Sequence, residues 1–335
     1  MRAIFVLVSL AVVAAIRSRA RASRKLRMCA QGSSGSVDAQ TPLIGAGTPS
    51  NPQVAADEPR ARVLLNAWAC DEDVTGAIAL GMRFRTEVVQ YSDSSGDDGP
   101  FYGRLVWAEG GRAPRKSRRP GVLLVHTAVG PHDLMLHWRA ESLAALGIVV
   151  LIVDLFGDAT GAGWDPEWSN AKRAAFREDP SLFQRRMELS LATLAASPIV
   201  DASRTGAFGY CFGGPAVLAL LRANPQGLLA GATFHGILNS NPPPAGVSEM
   251  KPRLLICHAD EDPFVSPEAF AECTAQLRSL RAQWSALVFG GGVVHSFTNP
   301  AQALNLAPQF GFDERAATES WAAAKTLLAE TLLAD

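Results

Sequence analysis

Cysteine is scarce in this chain and poorly spaced. Five occur in 335 residues, at Cys29, Cys70, Cys211, Cys257 and Cys273, with no CxxC pair. An odd, scattered set makes a poor disulfide framework and offers no metal-ligand spacing, so reduced thiols and no metal are expected. Charge of one sign is lacking too: 31 Lys and Arg stand against 32 Asp and Glu, a net charge of −1. That balance gives no general reason to expect nucleic acid or an anionic membrane as partner. The dense basic run "RAPRKSRRP" at 112–120 is bounded by prolines between two expected strands, and reads as a solvated loop. No internal repeat is present.

The N-terminal apolar run "AIFVLVSLAVVAAI" (3–16) has fourteen residues, too few for a comfortable membrane span. It suits the apolar part of a signal peptide, and "RSRARASRKLR" follows with no acidic residue before Asp38. Residues 1–37 are therefore expected to be a leader, either a two-part organellar (plastid-like) one or a secretory signal. The alternative is a start at Met82 and a cytoplasmic protein. Any membrane contact is confined to this segment. Residues 38–82, with a Gly/Ser/Pro/Thr-rich stretch at 32–53, are expected to be a flexible linker.

From residue 83 the pattern turns to strands alternating with helices. "RFRTEVVQYS" (83–92) and "FYGRLVWAE" (101–109) alternate as half-buried strands do. "GVLLVHT" (121–127) and "IVVLIVD" (148–154) are continuous apolar runs, as parallel strands covered on both faces require. Further strands are expected at "RTGAFGY", "LAGATFH", "RLLICHA" and "WSALVFG". Helices are expected at 134–147, 181–196, 214–223, 266–281 and 313–333. With an apolar share of 48% to build a core, this predicts one α/β domain over 83–335 with a doubly wound, mostly parallel sheet.

"GAFGYCFGGPA" (206–216) places a cysteine where a strand runs into a helix. In a G-x-nucleophile-x-G turn the central residue is strained, and small residues on either side avoid clashes. Cys211 is thereby presented at the carboxyl end of the sheet, over a helix N-terminus that favours a thiolate and an oxyanion. Partners are expected in the order nucleophile, acid, histidine. Asp262 follows the strand "LLICHA", with Asp260 as the competing acid, and His295 follows the next strand. The Phe212 amide and one near Thr127–Ala128 are the expected oxyanion donors. His126 and His235 end strands near the same edge; each is a substrate contact or a packed histidine. Tyr210 and Phe297 are further candidate substrate contacts. Trp164, Trp168 and Phe156 fall in a segment that would cap the site, and core aromatics are the preferred reading of them. Asp154 is read as a loop cap and Cys257 as inert.

In combination "GAFGYCFGG", "DEDPFV" and "VHSFTNP" resemble the motifs of the dienelactone hydrolase family, within the α/β-hydrolase fold. The likeness covers 83–335, with "VDLFG" (153–157) and "TFHGIL" (233–238). The resemblance implies thiol-dependent hydrolysis of a small enol lactone or related ester, without metal or organic cofactor. It makes Cys211 the nucleophile, His295 the base and Asp262 its orienter. Two departures stand out: Thr127 occupies the place of a glutamate that contacts the resting thiol in dienelactone hydrolases, and Asn299 replaces an arginine. A second substrate-binding arginine leaves Lys172, Arg173 and Arg177 as alternatives. Two competing readings are a non-catalytic ligand-binding or scaffold protein and a redox sensor using Cys211. An intact nucleophile, base and acid speak against the first, and the lack of a nearby resolving cysteine against the second.

Overall fold

The computed structural model describes residues 72–96, 98–110, 118–158, 166–238, 243–305 and 307–334. The leader (1–37), the linker up to residue 71, Cys29, Cys70, Trp164 and most of the basic run lie outside the described residues. No helix among the described residues is long and apolar enough to cross a membrane, and none of their side chains cluster as a metal site.

The linker expectation is corrected at its end. Helix α1 (Glu72–Ala79) stands inside it, with Val74 and Ala77 buried. The two are one turn apart, so a short one-sided apolar face suffices to dock the helix.

Eight strands form one sheet: β1 (Arg83–Tyr91), β2 (Phe101–Glu109), β3 (Arg119–Val125), β4 (Val149–Val153), β5 (Val200–Tyr210), β6 (Leu228–Phe234), β7 (Arg253–Ala259) and β8 (Trp284–Phe289). Their order is β1-β2-β4-β3-β5-β6-β7-β8. β1 and β2 form an antiparallel hairpin, and β2 meets β4 antiparallel. The remaining pairs are parallel. Side chains of β3 alternate between two apolar layers: Leu123 and Val125 face one core, Val122 and Leu124 the other. Both layers are buried, which explains why β3 and β4 read as unbroken apolar runs.

Helices cover both faces. α2 (Leu134–Ala145) and α7 (Glu314–Thr331) pack on the layer holding Val122 and Leu124. α4 (Ser181–Ala196), α5 (Gly213–Ala223) and α6 (Pro267–Ser279) pack on the layer holding Leu123 and Val125. α3 (Pro166–Glu178) was not expected from apolar periodicity. Its signals were terminal: Glu167 in the first turn and Arg177 in the last suit the helix dipole.

The chain leaves β3 toward β4 on one side and later returns as β5 on the other. β3 and β5 are neighbours, with Val125 opposite Gly209. Crossovers departing to opposite sides leave a crevice at the carboxyl ends of such strands. β3 ends at Val125, two residues before its expected end, so His126 and Thr127 belong to the loop that borders this crevice.

Candidate active site

The turn after β5 is built by what glycine lacks. A Cβ on Gly209 would stand 2.3 Å from the Gly213 carbonyl oxygen, and one on Gly213 would stand 2.7 Å from that of Val125. Two glycines let strand, turn and helix close on one another, and the residue between them takes the strain. Cys211 has φ of 52°, a left-handed conformation costly for a side-chain-bearing residue. The turn is held by Cys211 N–H donating to Phe234 O (3.1 Å). The Cys211 carbonyl accepts from the N–H groups of Gly214 and Ile237, each at 3.0 Å.

β7 and β8 bring the second and third side chains. Asp262 follows β7 and His295 follows β8. Their contact is direct: His295 Nδ1 lies 2.7 Å from Asp262 Oδ2, with exposures of 1% and 0%. Asp262 Oδ1 accepts from Phe264 N–H at 2.9 Å, which fixes the carboxylate in its own turn. Asp260, the competing acid, is exposed. The His295 ring is walled by Phe264 (4.8 Å between centroids), His235 (5.2 Å) and Phe310 (5.7 Å).

His295 Nε2 is buried and makes no hydrogen bond to a nitrogen or oxygen of the described residues. It is coupled to Cys211 instead. Burial opposes ionisation of the thiol, but the His295 charge and the amides of Ala128 and Phe212 outweigh it, and its pKa falls below the ordinary value. Burial likewise opposes a charged His295, yet Cys211 and the bond to Asp262 raise its pKa to about 9. The arrangement favours a thiolate beside an imidazolium. By contrast, burial alone drives the Cys257 thiol well above its ordinary range, as expected of an inert core cysteine.

The loop after β3 supplies the opposite wall. Thr127 Oγ1 accepts from Val129 N–H (3.2 Å), and Thr127 O accepts from Gly130 N–H (3.2 Å). Ser169 Oγ, fully buried on α3, donates to Ala128 O at 2.7 Å. The same helix carries Lys172, whose Nζ donates to Phe156 O at 2.7 Å. It also carries Arg173, which burial makes less basic and the nearby Cys211 charge makes more so. Of the three cations left open by the sequence, Arg173 lies near enough to feel the thiol. Asp154 is the loop cap expected of it: its carboxylate accepts from the N–H groups of Tyr102, Phe156, Gly157 and Asp158 at 2.8–3.0 Å.

Several expected substrate contacts are corrected. Tyr210 and Phe297 are fully buried in the layer of α2 and α7, across the sheet from Phe212. Successive residues of a strand point to opposite faces, so Tyr210, adjacent to Cys211 in the chain, faces the other core. His235 is buried, with Nε2 2.8 Å from Thr298 Oγ1, so it supports His295 from behind. His126 is buried among backbone groups. Thr127 is 9% exposed, at the edge of the crevice. Phe156 is buried, its ring edge-on to Trp168 at 5.5 Å. Two supporting residues escaped the sequence reading, Ser169 and His258. His258 stacks on Phe270 at 5.0 Å and feels the Asp262 charge. Nothing in a lone strand-end histidine marks it out.

A family model described as the dienelactone hydrolase family matches residues 111–332. The chain belongs to the dienelactone hydrolase family. Among solved structures it is similar to a dienelactone hydrolase-like promiscuous phosphotriesterase from metagenomic libraries. That match has 31% identity, 74% of this chain, 98% of the other and a TM-score of 0.66. It is also similar to an uncharacterized protein of Caenorhabditis elegans, 36% identical over 154 residues, covering 43% of this chain and 91% of that one. A dienelactone hydrolase from Anabaena variabilis, at 16% identity, shares the fold, with a TM-score of 0.51 over 74% of this chain. The family match and the shared α/β-hydrolase fold support a hydrolase with carboxylic esters as its substrate class.

Proposed function

We propose that this protein hydrolyses activated carboxylic esters or enol lactones through a thioester on Cys211, with His295 as base and Asp262 as its orienter. The observation that carries the reading is the buried 2.7 Å contact between His295 and Asp262 beside a thiol whose ionisation both His295 and two backbone amides favour.

The Cys211 sulfur, as thiolate, attacks the acyl carbon while the amides of Phe212 and Ala128 hold the developing oxyanion. The carbon–oxygen bond to the leaving group then breaks, and protonated His295 gives its Nε2 proton to the departing oxygen. His295, now neutral, takes a proton from water, which attacks the thioester; the carbon–sulfur bond breaks and the thiolate returns. A thiolate leaves readily from the first tetrahedral intermediate. Acylation therefore succeeds only when the substrate's own leaving group is comparably good, which selects enol and aryl esters over alkyl esters and amides.

Thr127 stands where the family's glutamate would contact the thiol, so His295 activates the thiol directly. The natural substrate then need not displace a carboxylate. A second reading, hydrolysis of activated phosphotriesters, is favoured by the 31% identity to the metagenomic phosphotriesterase.

The test is hydrolysis of p-nitrophenyl acetate and of an aryl phosphotriester by wild type and Cys211→Ala. Wild type is expected to form an acetylated Cys211 visible by mass spectrometry, and the variant to lose activity with its fold intact. Cys257→Ala and Cys273→Ala should keep their activity. A Cys211→Ala protein as active as wild type would falsify the thioester mechanism. A folded protein with a reactive Cys211 but no ester turnover would favour the redox-sensor or scaffold alternatives.

A further inference from the structure

His126 makes two hydrogen bonds, both to backbone. Its Nδ1 lies 2.6 Å from Thr127 O, and its Nε2 lies 3.2 Å from Leu155 N. A carbonyl oxygen only accepts and an amide N–H only donates, so the tautomer is fixed: Nδ1 carries the hydrogen and Nε2 is bare. The ring has no freedom to turn over. It is fully buried, edge-on to Phe156 at 4.5 Å and stacked near Phe212 at 6.1 Å. Burial also keeps it neutral, with its pKa lowered to about 4.

The partner of Nδ1 matters because of where its peptide leads. The Thr127 carbonyl and the Ala128 N–H belong to one planar, trans peptide and point in opposite directions. Pinning the carbonyl end therefore aims the N–H end, and a strong bond accepted at oxygen polarises the amide and strengthens its donation. That Ala128 N–H is one of the two amides that favour the Cys211 thiolate. The Gly130 N–H also reaches Thr127 O, but at 3.2 Å, and it comes from the same loop. His126 anchors the peptide to something outside that loop, through its second bond to Leu155, two residues past the end of β4.

We propose that His126 is a positioning residue: its Nδ1–H holds the Thr127–Ala128 peptide so that the Ala128 N–H faces the Cys211 sulfur and, in turnover, the oxyanion. The second role rests on the hydrolase reading above; the first does not.

Two isosteres separate the two bonds of the ring. The side-chain nitrogen of asparagine falls near the place of Nδ1, and the terminal amide of glutamine near that of Nε2. His126→Asn therefore keeps donation to Thr127 O, and His126→Gln keeps acceptance from Leu155 N–H. The first measurement is the pH profile of Cys211 alkylation by iodoacetamide, which needs no turnover. His126→Gln should shift it upward by about half a pH unit or more, with His126→Asn close to wild type. The second is ester hydrolysis. His126→Gln should lose about 10–100-fold in kcat with KM changed less than about twofold, in line with a weakened oxyanion donor. His126→Asn should stay within about fivefold of wild type.

Equal behaviour of the two variants in alkylation would overturn the proposal. A shifted alkylation profile without ester turnover in any form would sink the hydrolase reading and leave the positioning role standing. Should the variants fail to fold, ¹⁵N spectra of the wild-type histidines decide. His126 is expected as the Nδ1–H tautomer, unchanged from pH 6 to 9, and the opposite tautomer would refute the proposal.

Discussion

Asp262 and His295 meet at 2.7 Å with both side chains shut away from solvent, although 33 residues separate them in the chain. The carboxylate spends one oxygen on its own turn and the other on the imidazole. Nδ1 of His295 must therefore carry a hydrogen, and Nε2 is the atom left to serve the thiol. Exchanging that carboxylate for an amide keeps the shape and permits the wrong tautomer. Asp262→Asn is expected to lower kcat on p-nitrophenyl acetate by at least about a hundredfold. Asp260→Asn, at an exposed position, should stay within about threefold of wild type by the same assay. The reverse ranking would assign the orienting carboxylate to Asp260.

The displaced pKa values of Cys211 and His295 fix the shape of the pH profile. Cys211 ionises below its ordinary range, so activity should rise with pH through a midpoint below that of a free thiol. His295 keeps its proton until about 9, and above that pH the leaving oxygen loses its acid. A bell with its falling limb near 9 is expected in kcat/KM for an enol ester such as vinyl acetate. His295→Ala removes the positive neighbour of the sulfur and should move iodoacetamide reactivity of Cys211 to higher pH. Slow alkylation of wild type at neutral pH, faster only with a substrate analogue present, would refute direct activation by His295.

Asp133 caps α2, its carboxylate accepting from Met135 N–H, yet it is buried, and burial raises its pKa to about 7. The folded value lies above the unfolded one, so between them the native state binds the extra proton and stability falls as pH rises. An asparagine can make the same cap without charge. Asp133→Asn should therefore gain stability over wild type by about 1 kcal/mol or more at pH 8, because a tenfold change in a proton's binding constant corresponds to about 1.4 kcal/mol. The gain should shrink toward pH 5. Thermal melts at the two pH values measure it, and a variant less stable at pH 8 than at pH 5 relative to wild type would contradict the sign.

The elbow glycines should be intolerant and a helical one indifferent. Gly209→Ala forces a Cβ to 2.3 Å from backbone, and a loss of about 3 kcal/mol or more, or no soluble protein, is expected. Gly76→Ala in α1 meets no atom within 4 Å, and should gain up to about 1 kcal/mol from helix propensity. Denaturant unfolding of the pair checks both.

The sequence by itself determined the α/β alternation, the strand cores and the elbow, because these are written in local patterns. Unbroken apolar runs announced β3 and β4, and glycines spaced about Cys211 announced the turn. Chain order then ranked Asp262 and His295 as partners. The family resemblance was legible for the same reason: its motifs are short and sit at strand ends. α3 was missed because its signals are polar, with only partial burial of its face, and α1 because it lies beyond a composition-biased stretch.

What a side chain does at the end of its strand was decided only by tertiary structure. His126 and His235 looked alike in the sequence, each ending an apolar run. One came to lie against the peptide of Thr127 and Ala128, the other behind His295 against Thr298. Tyr210 neighbours Cys211 in the chain and faces the opposite core. For the two histidines the physical reason is the same: strand order and the direction of each crossover set which loops meet, and those depend on non-local pairing. Local pattern carries a residue's burial; the packing of distant segments chooses its partner.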